Sequence, residues 1–111
     1  MNFENQTALI TGGGRGIGKT IALKLAQNGA DIVLLDMNPD FDEVSEKAKS
    51  LGRKCITFQA DVTDFESIKE ITEIINQEQG NIDILVNNAG ITQDELFMRM
   101  KQEQWSKVID V

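Results

Sequence analysis

TGGGRGIG, residues 11–18, is the stretch that decides the fold of this chain. A short apolar run precedes it, and Ile17, Ile21 and Leu25 follow at helical spacing until Gly29. Glycines allow a tight turn from strand into helix, and the free N–H groups at the start of a helix attract anions. The stretch therefore predicts a strand, a phosphate-binding turn and a helix.

Two nucleotide-binding patterns fit this turn. Gly12, Gly16 and Gly18 match TGxxxGxG, a turn that lets the backbone approach a dinucleotide pyrophosphate. Residues 13–20 also match the Walker A pattern of P-loop NTPases, in which Lys19 would reach the phosphates and Thr20 would hold magnesium. Both patterns predict a preceding strand and a following helix, so features outside the turn must separate them.

The rest of the chain alternates strands with helices. We predict strands at residues 32–35, 55–58 and 82–86, a helix opened by Asn38-Pro39 and ended by Gly52, and a helix from the capping box Thr63/Glu66 to Gly80. Such alternation predicts an α/β fold, a doubly wound parallel sheet of the Rossmann type with strand order 3-2-1-4. From about Gln102, the helical spacing of Trp105, Val108 and Ile109 predicts one more helix.

The composition narrows the possible functions. The 111 residues suffice for one domain, and a net charge of -7 argues against a nucleic-acid partner. With no histidine and one cysteine, no metal site and no internal disulfide are expected. The first residues contain no basic segment followed by a long apolar run, so we expect neither a secretory signal nor a membrane span, but a cytoplasmic protein.

Polar motifs follow the second, third and fourth predicted strands. Asp36 ends the second strand, about 20 residues beyond the turn, where dinucleotide folds use an acid to bind the ribose hydroxyls. DVTD, residues 61–64, follows the third strand, and NNAG, residues 87–90, follows the fourth. A P-loop protein has no use for Asp36, although Asp61 could act as its Walker B acid. The combination favours dinucleotide binding.

These motifs together resemble the short-chain dehydrogenase/reductase family. Residues 1–18 and the stretch NNAGITQDELFMRMKQEQW, residues 87–105, are most similar to its bacterial 3-oxoacyl-acyl-carrier-protein reductases. The resemblance implies an NAD(P)-dependent oxidoreductase that reduces 3-oxoacyl-acyl-carrier-protein to the 3-hydroxyacyl form in fatty-acid synthesis. It also implies a homo-oligomer, a tetramer in the family.

The resemblance further assigns cofactor contacts to residues of this chain. Along the pyrophosphate and adenosine phosphate it places Gly12, Arg15, Gly16 and Ile17. It places Asp61 and Val62 at the adenine. Beside the ribose and nicotinamide it places Asn88, Ala89 and Gly90. Asn87 is expected to brace neighbouring strands.

Asp36 and Arg15 make opposite predictions about the cofactor. A carboxylate at the ribose favours NAD, because it repels the 2'-phosphate of NADP by about 1 to 4 kcal/mol per charge pair at 4 Å. Relatives use a basic residue at the position of Arg15 to hold that phosphate, whereas here it could pair with the pyrophosphate. We favour NAD, because Asp36 opposes the phosphate directly.

The resemblance implies that catalysis uses a Tyr, a Lys, a Ser and an Asn from family motifs that this chain does not contain. The sequence has no tyrosine at all. We therefore expect residues 1–111 to be the dinucleotide-binding portion of a single-domain reductase, without catalytic residues and inactive alone. A non-catalytic dinucleotide-binding fragment or a regulatory relative is the alternative. The fourth strand would then have an unpaired edge, so self-association or marginal stability is expected.

Overall fold

A computed structural model describes residues 2–14, 16–88 and 107–110, the last of these as backbone only. Its strands and helices alternate along the chain. In order they are β1 (Thr7–Thr11), α1 (Gly16–Gln27), β2 (Asp31–Asp36), α2 (Asp42–Ser50), β3 (Cys55–Gln59), α3 (Phe65–Gln79), β4 (Ile84–Asn87) and β5 (Lys107–Asp110). Among these helices, none is long and apolar enough to cross a membrane.

The strands form one parallel sheet in the order β3-β2-β1-β4-β5. β1 lies between β2 and β4, with Leu9 opposite Val33 on one side and Leu85 on the other. Neighbouring parallel strands must be joined by crossover connections, which here contain helices. The glycine-rich turn begins the first of them, from β1 through α1 to β2. The predicted order 3-2-1-4 and the doubly wound architecture are confirmed.

The fifth strand corrects the prediction for the end of the chain. Lys107–Asp110 is a strand paired in parallel with β4, so the helix predicted through Val108 and Ile109 is wrong there. Gln102 and Trp105 lie outside the described residues. A few apolar positions cannot distinguish helical from strand periodicity, and β-branched residues favour a strand. The prediction that β4 has an unpaired edge is also wrong, because β1 and β5 flank it.

The core lies on both faces of the sheet. One face is covered by α1 and α2, and its buried residues are Ala8, Ile10, Ala22, Leu25, Ala26, Ala30, Ile32, Leu34, Phe41, Val44, Ile84 and Val86. The other is covered by α3, and its buried residues are Leu9, Val33, Leu35, Val62, Ile68, Ile71, Ile75, Ile82 and Leu85. Adjacent strand residues alternate between the faces, so a sheet covered on both sides requires continuous apolar runs.

Two predicted helix starts differ from the structure. α2 begins at Asp42, three residues beyond Pro39, and has no side-chain cap. The N-cap of α3 is Asp64, which accepts the Ser67 N–H, and not Thr63 of the predicted capping box. A capping pattern in sequence does not say which of several adjacent polar residues adopts the extended N-cap backbone.

Candidate functional site

A cavity of about 370 Å³ opens at the carboxyl ends of the strands. Its lining is Gly12, Gly16, Ile17, Leu35, Asp36, Met37, Ala60, Asp61, Val62, Thr63 and Asn88. Parallel strands bring their carboxyl ends to the same edge, where a doubly wound sheet forms its binding crevice.

Seven of the ten predicted cofactor residues line this cavity. They are Gly12, Gly16, Ile17, Asp36, Asp61, Val62 and Asn88. Arg15, Ala89 and Gly90 lie outside the described residues, so their positions remain predictions. The fold thus brings together residues that the sequence separates by up to 76 positions, from Gly12 to Asn88.

The glycine-rich turn, residues 11–18, packs too closely for a larger residue at several of its glycines, among them Gly12 and Gly18. A Cβ on Gly12, where φ is +68°, would lie 2.9 Å from the Asn88 carbonyl oxygen. A Cβ on Gly18 would overlap the Gly12 carbonyl oxygen. The turn therefore runs directly against β4 and delivers the chain into α1 with backbone facing the cavity.

The start of α1 supplies the electropositive part of the site. Gly16 and Ile17 begin the helix and line the cavity, and the first turn contains no acidic side chain. The first N–H groups of a helix have no partner within it, and the helix dipole adds partial positive charge. This end of the cavity has the chemistry to accept a phosphate.

A side-chain network fixes the ends of β1 and β4. The buried Thr11 hydroxyl oxygen accepts the Asn88 N–H at 3.0 Å and lies 3.3 Å from Asn87 Oδ1, to which it can donate. The Asn88 side-chain amide lies 3.4 Å from the Gly12 carbonyl oxygen. Asn87 thus braces β1 against β4, as expected. Thr11 was not predicted as a site residue. The feature of the sequence that could have indicated it is a polar residue at the end of a buried strand.

Asp36 is a buried carboxylate at the end of β2. Its side chain is held by backbone, because Oδ2 accepts the Gly14 N–H and Oδ1 accepts the Asn38 N–H, both at 3.0 Å. The residue is only 5% exposed, yet it lines the cavity. The carboxylate is therefore fixed between the glycine-rich turn and the segment that follows β2.

Two large apolar residues line the cavity together with this acid. Ile17 and Met37 are each 61% exposed, which is unusual for large apolar residues, and both line the cavity. Ile17 was predicted as a cofactor contact, and its side chain is exposed at the cavity instead of packed in the core. Met37 was missed, although it directly follows Asp36. Exposed apolar groups beside a polar cavity suit a flat, partly apolar ligand group.

Asp61 shapes the loop after β3. Its Oδ1 accepts both the Thr63 N–H at 2.9 Å and the Thr63 hydroxyl at 2.7 Å. Such a local turn holds the loop backbone in place. Asp61 and Val62 consequently form the cavity wall on the β3 side.

Lys19 and Thr20 make contacts other than those a Walker A motif requires. Lys19 Nζ lies 3.5 Å from an Asp40 carboxylate oxygen and 3.4 Å from one of Glu43. Partial desolvation opposes its charged form, but attraction to both acids outweighs this and raises the pKa of Lys19. The Thr20 hydroxyl donates to the Gly16 carbonyl oxygen at 3.2 Å.

Comparison with curated proteins finds relatives along the whole chain. A 3-oxoacyl-(acyl-carrier-protein) reductase of Thermotoga maritima is 44% identical over the full chain, which covers 46% of that protein. The Escherichia coli reductase of the same name is 46% identical over 99% of the chain and 44% of its own length. The chain thus spans a little under half the length of these relatives.

Solved structures of related proteins share the fold. Carveol dehydrogenase from Mycobacterium avium, in complex with NAD, superposes with a TM-score of 0.73 and 32% identity, over 87% of this chain and 43% of that one. NAD+-bound xylitol dehydrogenase gives a TM-score of 0.75 and 34% identity, over 82% and 35%. The family model for short chain dehydrogenases matches residues 6–111. The chain belongs to the short-chain dehydrogenase family.

Proposed function

We propose that residues 1–111 form the dinucleotide-binding portion of an NAD(P)-dependent oxidoreductase. The observation that carries the proposal is a single cavity that joins the start of α1, the Asp36 carboxylate and the Asp61-Val62 wall. These features supply a phosphate site, an acceptor for ribose hydroxyls and a surface for a base. The NAD complexes of the carveol and xylitol dehydrogenases support the same assignment.

The residues present fit such a cofactor. Gly12 approaches Asn88 closely and, with Gly16, brings backbone without a side chain to the cavity. N–H groups at the start of α1 would hold the pyrophosphate, Asp36 the adenosine ribose, and Val62 with Asp61 the adenine. Asn88, with Ala89 and Gly90, would face the nicotinamide side. When bound, the cofactor supplies the hydride; these residues orient it.

We further propose that the preferred cofactor is NAD. Asp36 is held by two backbone N–H groups and therefore cannot turn away without leaving both donors unpaired. A 2'-phosphate beside this carboxylate would be repelled, whereas ribose hydroxyls can donate to it. Arg15 is the opposing feature, because it could pair with that phosphate.

For the complete protein we propose reduction of 3-oxoacyl-acyl-carrier-protein to the 3-hydroxyacyl form, a step of fatty-acid synthesis. The support is that the Thermotoga maritima and Escherichia coli relatives are named for this reaction. On this proposal, catalysis and the homotetramer that the family resemblance implies would involve sequence beyond residues 1–111.

Titration with NADH, followed by its fluorescence, tests the cofactor assignment directly. We expect saturable NADH binding, displacement by NAD+, weaker binding of NADPH and no displacement by MgATP. Tighter binding of NADPH would overturn the preference for NAD. Magnesium-dependent ATP binding that NADH cannot displace would favour a P-loop NTPase, although the contacts of Lys19 and Thr20 already oppose it.

A reductase assay separates the enzyme from a non-catalytic module. With an acetoacetyl substrate, the 111-residue chain should bind cofactor without turnover, and a protein that includes the catalytic portion should oxidise NADH. Cofactor binding without turnover in that longer protein would favour a regulatory relative.

A further inference from the structure

The bond between Asp36 and Gly14 connects two parts of the cofactor site. Gly14 lies in the glycine-rich turn, between Gly12 and Gly16, both of which line the cavity. Its N–H donates to Asp36 Oδ2 at 3.0 Å, across 22 positions of sequence. The other carboxylate oxygen accepts the Asn38 N–H at 3.0 Å. One side chain therefore joins the turn to the β2–α2 connection.

The two segments are in close contact around this bond. A Cβ on Gly14 would lie 2.7 Å from the Asn38 carbonyl oxygen and 3.0 Å from Asp36 Oδ2. Gly14 is not one of the glycines that the TGxxxGxG pattern requires at positions 12, 16 and 18. Its contacts instead serve the attachment of the turn to the end of β2.

We infer that Asp36 is a positioning residue for the glycine-rich turn, in addition to the ribose ligand proposed above. Removal of its carboxylate leaves the Gly14 and Asn38 N–H groups without this acceptor. The turn then loses this bond to the end of β2 and keeps there the bond from the Gly12 N–H to the Leu35 carbonyl oxygen at 2.7 Å. The backbone around Gly14, in the turn that would receive the phosphates, is then less well ordered. The inference rests on the proposed cofactor site.

A ligand without ribose hydroxyls separates the two roles of Asp36. In 2',3'-dideoxyadenosine 5'-diphosphate, the phosphates and adenine remain, but the groups that would donate to the carboxylate are absent. A residue that only bound ribose would contribute nothing to this ligand. A residue that positions the turn would still contribute, because the phosphates depend on the turn.

Asp31→Ala is the matched control. Asp31 begins the same strand, and its Oδ1 accepts the Lys54 N–H at 2.9 Å, at the sheet edge opposite the cavity. By calorimetry, Asp36→Ala should weaken binding of the dideoxy diphosphate about tenfold, the scale of a lost charge-assisted hydrogen bond, and Asp31→Ala should leave it unchanged. Equal affinity in wild type and Asp36→Ala overturns the inference. Failure of the wild type to bind NADH would overturn the proposed function as well.

Amide hydrogen exchange gives a second readout that needs no ligand. In the wild type, the Gly14 N–H should be protected; in Asp36→Ala it should exchange at least about tenfold faster, with Lys54 N–H unchanged. Asp31→Ala should produce the reverse pattern. Asp36→Asn, which keeps the shape and one acceptor oxygen, should give an intermediate rate. An unprotected Gly14 N–H in the wild type overturns the inference even if Asp36→Ala does not fold.

Discussion

Aspartate side chains accept backbone N–H groups at three strand ends in the described residues. Asp31 accepts the Lys54 N–H, Asp83 accepts the Thr7 N–H at 2.9 Å, and Asp36 accepts the Gly14 N–H. A carboxylate makes strong hydrogen bonds of this kind because it is charged. Of these three, only Asp36 lines the cavity. The same interaction therefore stabilises the sheet at two positions and shapes a binding site at the third.

Lys19→Met tests the choice between the two patterns that fit the glycine-rich turn. Because Lys19 is paired with Asp40 and Glu43, we expect the affinity for NADH to change by less than about twofold, as for an exposed ion pair. Fluorescence titration measures it. Loss of nucleotide binding in this variant would instead identify Lys19 as a Walker A lysine.

Cys55 should be an unreactive thiol in the folded protein. Burial raises its pKa, while a hydrogen bond from Ser45 and the charge of Lys49 act in the opposite direction more weakly. The thiolate fraction of the native state should therefore stay low until the pH passes above the ordinary thiol value of about 8.5. Its neutral form then contributes stability that is lost as the pH rises through the raised pKa.

Iodoacetamide labelling measures this reactivity. At pH 7.5 the native protein should be alkylated more slowly than the urea-unfolded protein, in which the thiol has its ordinary pKa. Equal rates in the two states would contradict the expected rise in pKa.

At the scale of elements, the start of α3 depends on one capping residue. Asp64 accepts the Ser67 N–H at 3.3 Å and the Ser67 hydroxyl at 2.8 Å. Asp64→Ala should lower the free energy of unfolding by about 1 kcal/mol, as expected for a lost N-cap. Urea denaturation of the purified chain measures the loss.

Thr63→Ala is the comparison for that variant, since Thr63 was the N-cap predicted from sequence. Its hydroxyl donates to Asp61 and not to the helix, so the loss of stability should be smaller than for Asp64→Ala. A larger loss of stability for Thr63→Ala than for Asp64→Ala would instead support the predicted capping box of Thr63 and Glu66.

For the whole molecule, the sheet order predicts where unfolding begins. β1 has strands on both sides and its five residues are buried, whereas no described strand pairs with the outer side of β3, where Thr57 and Gln59 are exposed. Local opening requires less free energy where fewer contacts are broken.

Native-state amide exchange tests this gradient. The paired N–H groups of β1 should exchange at least about a hundredfold more slowly than those of β3. Equal protection of the two strands would mean that the sheet opens only as one unit.

Local sequence patterns determined most of the architecture. Apolar runs identified β1, β2 and β4, because strands covered on both faces cannot alternate with polar residues. The third strand was predicted at residues 55–58, although Thr57 and Gln59 of β3 are exposed. The glycines of residues 11–18 identified the turn, because close packing against the Asn88 carbonyl oxygen excludes a side chain at Gly12. Asp36 and Asp61 were recognisable because a parallel sheet brings the residues after its strands to one edge.

Tertiary structure alone decided the remaining features. β5 is a strand because it can pair with β4, and its four residues contain too little periodicity to reveal this. Asp64 is the N-cap because it directly precedes Phe65, the first residue of α3, and has the extended backbone of an N-cap. The bond from Gly14 to Asp36 spans 22 positions, and only the packing of the turn against the end of β2 brings the two groups together. Hydrogen bonds between distant segments leave no periodic signal in the sequence, because they depend on how the elements pack and not on local residue order.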